Sequence, residues 1–511
     1  MNRKQFARVY SAQPHYLDGK IITVEVDVNI GNYFFAIVGM ANKAVDEARS
    51  RVGSALKNCG FNSPRHSNLK TTVSLAPAEL RKEGSYFDVA IALGYILARG
   101  EASFDTDGKV FLGELSLDGD IRPIRGILTL VQCARDAGMT EVYIPADNAY
   151  EAGFVEGIDI YSAMHLKEIL EHLDPSSCKH DTQVKKVPVS EINESHRKEH
   201  SVDMSDVRGQ EVAKRGLLIA AAGGHNVAMI GPPGTGKTML AKAFAGIVPQ
   251  LSHKQMLDVL KIHSVAGVFD GTLSQEPPLR SPHHSASAVS ITGGGAIPHP
   301  GEITLAHHGI LFMDEFPEFP SAVLEALRQP LEDRVIHIAR AAGQATFPAD
   351  IILLAALNPC PCGFYGTRAR ECICHIHQIQ RYTKKLSGPI VDRIDIWLPV
   401  EHIDYEHFHT STQAIESSKD IRQQVLSARN LSYERNGLDR LNRHLGAREI
   451  SGLTITTEAQ STLQKSAKAL GLSPRSYHKM IKLGRTIADL DESETIESSH
   501  ILEALQYRPK L

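Results

Sequence analysis

The spacing of apolar side chains changes character along this 511-residue chain, and each change marks a different kind of structure. IITVEVDV (21–28) and FFAIVG (34–39) read as strands. Residues 42–60 carry apolar positions three and four apart, which predicts a helix ended by Gly60 as its C′ residue. TTVSLAP (71–77) follows as a strand, and FDVAIALGYILARG (87–100) as an apolar helix closing on Gly100. A turn at Asp118–Gly119, a helix near 126–137 and the strand EVYIPAD complete an α+β block over 1–171. Residues 172–204 are polar, with Pro and Ser and little periodicity, which is a linker composition. From 205 to 402, short apolar strands (NVAMIG, GILFMDE, DIILLAAL, DIWLPV) alternate with helices. That alternation predicts an α/β domain with a parallel sheet covered on both faces. A last block over 403–511 reads as helical from about residue 412.

Composition narrows the class. Hydrophobic content of 42% and charged content of 22% are those of a soluble globular protein, and the length predicts two to four domains. No run of about 18 apolar residues is present to span a bilayer, and the N-terminal residues carry no apolar signal region. The expectation is a cytoplasmic protein with no membrane partner. A net charge of −4 gives no global sign of nucleic-acid binding, yet positive charge confined to a channel is compatible with it. Of seven cysteines, four fall between 360 and 374.

The chemistry concentrates in a few segments. GPPGTGKT (Gly231, Pro232, Pro233, Gly234, Thr235, Gly236, Lys237, Thr238) fits G-x-x-x-x-G-K-[ST] at every fixed position. Its glycines let backbone N–H groups face phosphate oxygens, Lys237 reaches the β- and γ-phosphates, and Thr238 serves Mg²⁺. ILFMDEF (310–316) reads as a buried strand delivering Asp314 to the metal and Glu315 to the attacking water. Asn358, at the exit of LAALNPC, is placed to sense the γ-phosphate; the plain reading is a turn residue ahead of Pro359. Arg393, in SGPIVDRIDI, is either a solvated ion-pair partner or an arginine finger reaching a neighbouring subunit's ATP. Arg475, at the start of a C-terminal helix, is a second candidate for phosphate contact.

Cys360, Cys362, Cys372 and Cys374 form C-x-C…C-x-C, a donor set suited to a structural Zn²⁺, with His375 and His377 as substitutes. RVIHIARAAGQATFPADIILL (334–354) predicts a β-hairpin with Arg340 near its tip. His283, His284, His307 and His308 stand as adjacent pairs in a Gly-rich stretch, where polar contacts are the expected role rather than a second metal.

Together these segments resemble the magnesium-chelatase-like branch of the AAA+ ATPases, and more narrowly the YifB/ComM family. The resemblance is carried by DVRGQEVAKRGLLIAAAGGHNVAMIGPPGTGKT (206–238), RSPHHSAS (280–287), GGGAIPHPGEITLAHHGILFMDE (293–315), PCPCG (359–363), LSGPIVDRIDI and RTIADL (485–490). It implies an AAA+ P-loop core with a zinc loop at 359–377 and a helical lid over 403–511. It also implies a hexameric ring, with Asn358 as sensor 1, Arg393 as the finger and Arg475 as sensor 2. The hairpin at 335–347 resembles a pore-lining insertion, which makes Arg340 a DNA-contact candidate, followed by Arg368, Arg370 and Arg381.

The first block is similar to the proteolytic domain of Lon proteases (an S5-like fold). Tyr86 stands where the nucleophilic Ser belongs and Leu130 where the Lys belongs, with Ser85 one position off, so protease activity is not expected. Ala41-Asn42 replaces the family's usual Pro-Asp. The implied function is an ATP-driven helicase that migrates DNA branches during natural transformation and homologous recombination. A metal-insertion motor and a protein-remodelling chaperone are the alternatives.

Overall fold

The computed structural model describes residues 5–39, 43–64, 68–174, 176, 184–190, 201–295, 298–340, 343–367, 370–386, 388–402 and 416–509. The chain divides into two compact units, Met1–His196 with Leu260–Leu273, and Arg197–Val259 with Ser274–Leu511. The segment 260–273, read from the sequence as part of the ATPase core, therefore groups with the first unit.

The first unit is built on an eight-stranded sheet. Its strands in chain order are β1 (Phe6–His15), β2 (Asp18–Ile30), β3 (Phe34–Val38), β4 (Leu69–Ala76) and β5 (Lys109–Phe111), then a small hairpin of β6 (Glu114–Leu115) and β7 (Ile121–Arg122). β8 (Glu141–Pro145), β9 (Asp159–Ala163) and β10 (Lys185–Lys186) complete the set. The spatial order β10-β9-β8-β5-β1-β2-β4-β3 makes β1 central, antiparallel to β2 and parallel to β5. β1 was not legible in the sequence because its inward positions include Ser11 and Gln13, which break the apolar alternation.

The helix Asp88–Arg99 is buried along nearly its whole length, and Gly94 is needed there: a Cβ would stand 2.8 Å from Val26 Cγ2. Gly60 ends the helix Lys43–Asn58 with φ 91°, as expected. The linker reading needs correction over 184–190. Lys185–Lys186 adds an edge strand to β9, and Ser190 bonds Gly153 and Tyr150. A two-residue charged edge strand leaves no periodic trace. Residues 177–183 and 191–200 of that segment lie outside the described residues.

The second unit holds a five-stranded parallel sheet. β11 (Val227–Ile230) lies between β18 (Ile352–Leu357) and β19 (Ile396–Pro399), and β15 (Ile310–Met313) and β12 (Leu279–Arg280) extend the β18 side. Two short antiparallel pairs stand apart from it: β13 (Gly293–Gly294) with β14 (His299–Pro300), and β16 (Val335–Arg340) with β17 (Gly343–Pro348). The second pair is the expected hairpin. The helices Ser418–Asn436, Thr457–Leu470, Pro474–Leu490 and Ser498–Gln506 share one apolar core with the sheet. Within RTIADL, Arg485 and Asp489 form a fully buried ion pair, and Arg435 and Asn442 also bond Asp489. That motif holds the helices together. No helix among the described residues is long and apolar enough to cross a membrane.

Candidate nucleotide-binding site

Strand register brings the phosphate-binding segments together. Ile230 pairs with Leu357, and Met313 with Ala355, so β11, β15 and β18 end within a residue or two of one another. Gly231, Asp314 and Asn358 therefore emerge side by side at the carboxyl end of the sheet, where ligands collect in such folds. Gly231 must be glycine because a Cβ would lie 2.0 Å from Val400 O. Gly234 and Gly236 hold φ of 78° and 89°, the left-handed values that curl the loop into the helix Lys237–Ile247.

Lys237 Nζ donates to Gly231 O and Pro232 O, both at 2.7 Å, and to Asn358 Oδ1 at 3.1 Å. Burial lowers its pKa, against the opposing pull of Asp314. Thr238 Oγ1 donates to Asp314 Oδ2 at 2.9 Å. Glu315 has φ 52°, and its carboxylate Oε2 lies 3.1 Å from His284 Nδ1. The imidazole thus faces the carboxylate expected to activate water, a contact that sequence spacing did not reveal.

The two arginines stand at the other end of the sheet. β19 runs parallel to β11, with Ile396 opposite Val227, and Arg393 precedes that pair. Its carbonyl accepts from Asn226 Nδ2 at 3.0 Å, beside the start of β11. The Arg393 guanidinium donates to Arg328 O at 2.9 Å, to Pro389 O at 2.8 Å and to the Glu332 carboxylate. Arg475 Nη1 lies 3.1 Å from the other oxygen of Glu332. One turn further along that helix, Lys479 donates to Ile394 O at 2.8 Å. Arg393 and Arg475 are brought together on Glu332, separated from their own phosphate loop by the length of β11, four residues or about 13 Å. Glu332 was missed because one acid on a polar helix carries no distinguishing pattern.

Cys360, Cys362, Cys372 and Cys374 converge, with all four sulfurs within 4.8 Å of one another. Sulfur separations of 3.3, 3.6 and 3.7 Å approach the edge of about 3.8 Å that tetrahedral Zn–S bonds of about 2.3 Å require. His375 and His377 are not part of the cluster. His307 is buried and neutral, its pKa lowered to about 3 by burial and by His308, and it accepts from Asp350 N. The histidine pairs make polar contacts, and among the described residues the only group of three or more metal-type donors is the cysteine cluster.

Arg340 is exposed at the end of β16, and Arg381 is exposed on the helix Ile376–Thr383. Arg370 lies over Phe364 at 5.4 Å, and Arg368 lies outside the described residues, as do Ala41 and Asn42. In the first unit Ser85 bonds the Glu114 carboxylate, Tyr86 is part-buried, and Leu130 is packed in the interior.

Comparison with known proteins covers almost the whole chain. The family model "Magnesium chelatase, subunit ChlI" matches residues 203–408. "Subunit ChlI of Mg-chelatase" matches 24–148, and "Magnesium chelatase, subunit ChlI C-terminal" matches 415–508. Competence protein ComM of Haemophilus influenzae is 39% identical over 509 residues, covering 98% of this chain and 97% of that protein. The chain belongs to the YifB/ComM family. YifB of Escherichia coli, an uncharacterized protein, is likewise 39% identical over 491 residues, 95% of this chain and 94% of its own length. At greater distance, the DNA replication licensing factor Mcm6 of Anopheles gambiae is 23% identical over 329 residues, 58% of this chain and 36% of that protein.

Membership in this family makes the second unit an AAA+ ATPase domain, with nucleotide and Mg²⁺ as its cofactors. The residues present fit both groups. A glycine loop with left-handed turns leads into a helix N-terminus, and a buried ammonium beside it has carbonyl and amide oxygens as its nearest partners. The Thr238 hydroxyl and Asp314 carboxylate meet as a pair of hard oxygen donors of the kind Mg²⁺ takes. Bound Mg²⁺ supplies charge neutralisation on the phosphates. With nucleotide bound, Lys237 would orient the phosphate chain, Asn358, which it already bonds, would fix its ammonium, and Glu315 would accept a proton from water once it leaves His284.

Proposed function

We propose that this protein is a hexameric, ATP-driven DNA motor that moves branch points in recombining DNA during natural transformation. The observation that carries the assembly is the separation of Arg393 and Arg475 from their own phosphate loop by the length of β11. A guanidinium on that side serves a neighbour's ATP, so the hydrolytic centre is complete only between subunits. In this reading Lys237, Thr238, Asp314, Glu315 and Asn358 act on the bound nucleotide, while Arg393 and Arg475 act across the interface. The four cysteines hold a structural Zn²⁺ that braces the loop after Asn358.

The DNA assignment is supported by the competence protein and the replication licensing factor among the relatives, and by exposed Arg340 on a hairpin outside the main sheet. A positive side chain at a channel surface binds sugar–phosphate without reading sequence, and such binding weakens as salt rises. The first unit keeps the Lon-like reading without a catalytic pair and orders the ring or guides DNA.

The deciding experiment is ATP-dependent strand release from labelled three- and four-way junctions, with Lys237→Ala as the blank. Release by the parent and none by the blank is the expected result. Hydrolysis without release would leave the ATPase and discard the DNA motor.

A further inference from the structure

Arg393 and Arg475 line a cavity of about 600 Å³ at the amino end of the parallel sheet. Arg334, Arg443, Lys479 and Lys482 line it with them, so six guanidinium and ammonium groups face three carboxylates, Glu332, Asp392 and Asp395. One of those carboxylates, Asp395, already lies 3.6 Å from His225 and 3.9 Å from Lys479. Glu332 is different: its two oxygens are divided between the two guanidiniums, Oε2 to Arg393 and Oε1 to Arg475. It is also part-exposed, at 45%, as is Arg475 at 42%, so the pair opens to solvent rather than into the core.

A planar carboxylate held by two guanidiniums has the donor geometry of a terminal phosphoryl group held by the same two. Every arm of Arg393 is engaged, two by carbonyls that fix its direction and one by Glu332. The carbonyl bonds aim the guanidinium, and the anion at its tip is the exchangeable partner. Without any acceptor there, the two like charges would repel each other and Arg475, the more exposed, would swing away.

We infer that Glu332 is a placeholder for the terminal phosphate of a nucleotide bound to a second copy of this chain. It keeps Arg393 and Arg475 aligned as a pair in the unassembled subunit and yields both to the incoming triphosphate. Glu332 is thus a positioning residue, and it competes with the neighbour's ATP for the same two cations. The proposal rests on the trans arrangement above and adds the residue that sets how readily that arrangement engages.

The test is steady-state ATP hydrolysis by the assembled full-length chain carrying Glu332→Gln, Glu332→Asp, or Glu332→Gln combined with Arg393→Ala. A neutral amide competes less well than a carboxylate for a guanidinium, so Glu332→Gln should lower the KM for ATP by about two- to fivefold. Glu332→Asp, which retains the charge, should keep KM near the parent value. On the Arg393→Ala background, Glu332→Gln should shift KM by much less, because one of the contested partners is gone. A merely structural Glu332 would change stability or kcat and leave KM where it was, and that outcome overturns the proposal. Mixing Lys237→Ala chains with Arg393→Ala chains reads the trans arrangement separately. Regained hydrolysis with an unmoved KM for Glu332→Gln would sink the placeholder alone, and no regained hydrolysis would sink the trans reading itself.

Discussion

The two ends of the parallel sheet carry opposite halves of one chemistry. At the carboxyl end, Gly231–Thr238, Asp314, Glu315 and Asn358 form a site whose donors fit phosphate and metal, with Lys237 already bonded to Asn358. At the amino end, Arg393 and Arg475 converge on Glu332, a group that resembles phosphate in charge and donor demand. In the proposed reading the first is a cradle without a stabiliser for the transferring group, and the second is a stabiliser without a cradle. On that reading one chain would not complete a hydrolytic site on its own, and stacking one copy's amino end on the next copy's carboxyl end would supply what each lacks. Heterologous contacts of this kind close into rings when the rotation permits.

The largest effect should come from the carboxyl end. Lys237→Ala removes the ammonium that meets the phosphates, so nucleotide binding or hydrolysis should be abolished, as read by filter binding and phosphate release. Binding and turnover at the parent level would break the assignment of this end as the cradle.

Arg393→Ala should weaken nucleotide binding by no more than a few-fold, the cradle keeping most of the affinity, and lower kcat by about 10³–10⁵-fold, the range seen when a finger is withdrawn. The two variants fail for complementary reasons, so 1:1 mixtures should regain part of the parent rate. Mixed assemblies pair an intact cradle from one chain with an intact Arg393 from the other. Equal inactivity in the mixture would mean that the two ends do not meet between copies.

How much of this contrast could be read from the sequence differs between the ends. The cradle is local: fixed glycine spacing followed by Lys237–Thr238, and an apolar strand ending in Asp314–Glu315, each specify their own geometry. The parallel sheet was legible for the same reason, since its strands are continuous apolar runs such as Ile352–Leu357. The amino end is assembled from residues more than 60 positions apart, and nothing in the sequence around Glu332 distinguishes it from its acidic neighbour Asp333. β12, only Leu279–Arg280, and β10, only Lys185–Lys186, are too short to register as periodicity. His284 was legible as part of a motif but not as the partner of Glu315, because that contact depends on how the loop after β12 returns over the sheet.

A third variant separates stability from chemistry. Asp489 takes bonds from Arg435, Arg485 and Asn442 in the interior of the helical part, remote in role from both ends. Asp489→Ala leaves buried guanidinium charge uncompensated, which should cost about 3–5 kcal/mol in denaturant unfolding. Below the unfolding transition, the same variant should still complement Lys237→Ala if it folds. A loss of complementation without a loss of stability would place the RTIADL network in the catalytic contrast rather than beneath it.

The smallest expected effect is acid sensitivity, and it should fall on the amino end. His444 is buried with its pKa lowered to about 4, burial outweighing its bond to Asp350, and His307 is lowered to about 3. Both precede or adjoin strand starts on that side of the sheet, through Asp350 and the turn before Ile310. A histidine held neutral in the fold binds its proton more readily once unfolded, where its pKa is about 6.5. The unfolded chain therefore takes up more protons below that value, and stability present above pH 6.5 is lost as pH falls toward 4. Direct contact with Asp350 opposes the loss, so the decline should be on the order of 1–3 kcal/mol. His444→Gln removes one of the two titrations while keeping a polar group beside Asp350, and the pH dependence of unfolding between 6.5 and 4 should flatten in that variant. An unchanged slope would move the acid-labile groups away from the contact of His444 with Asp350.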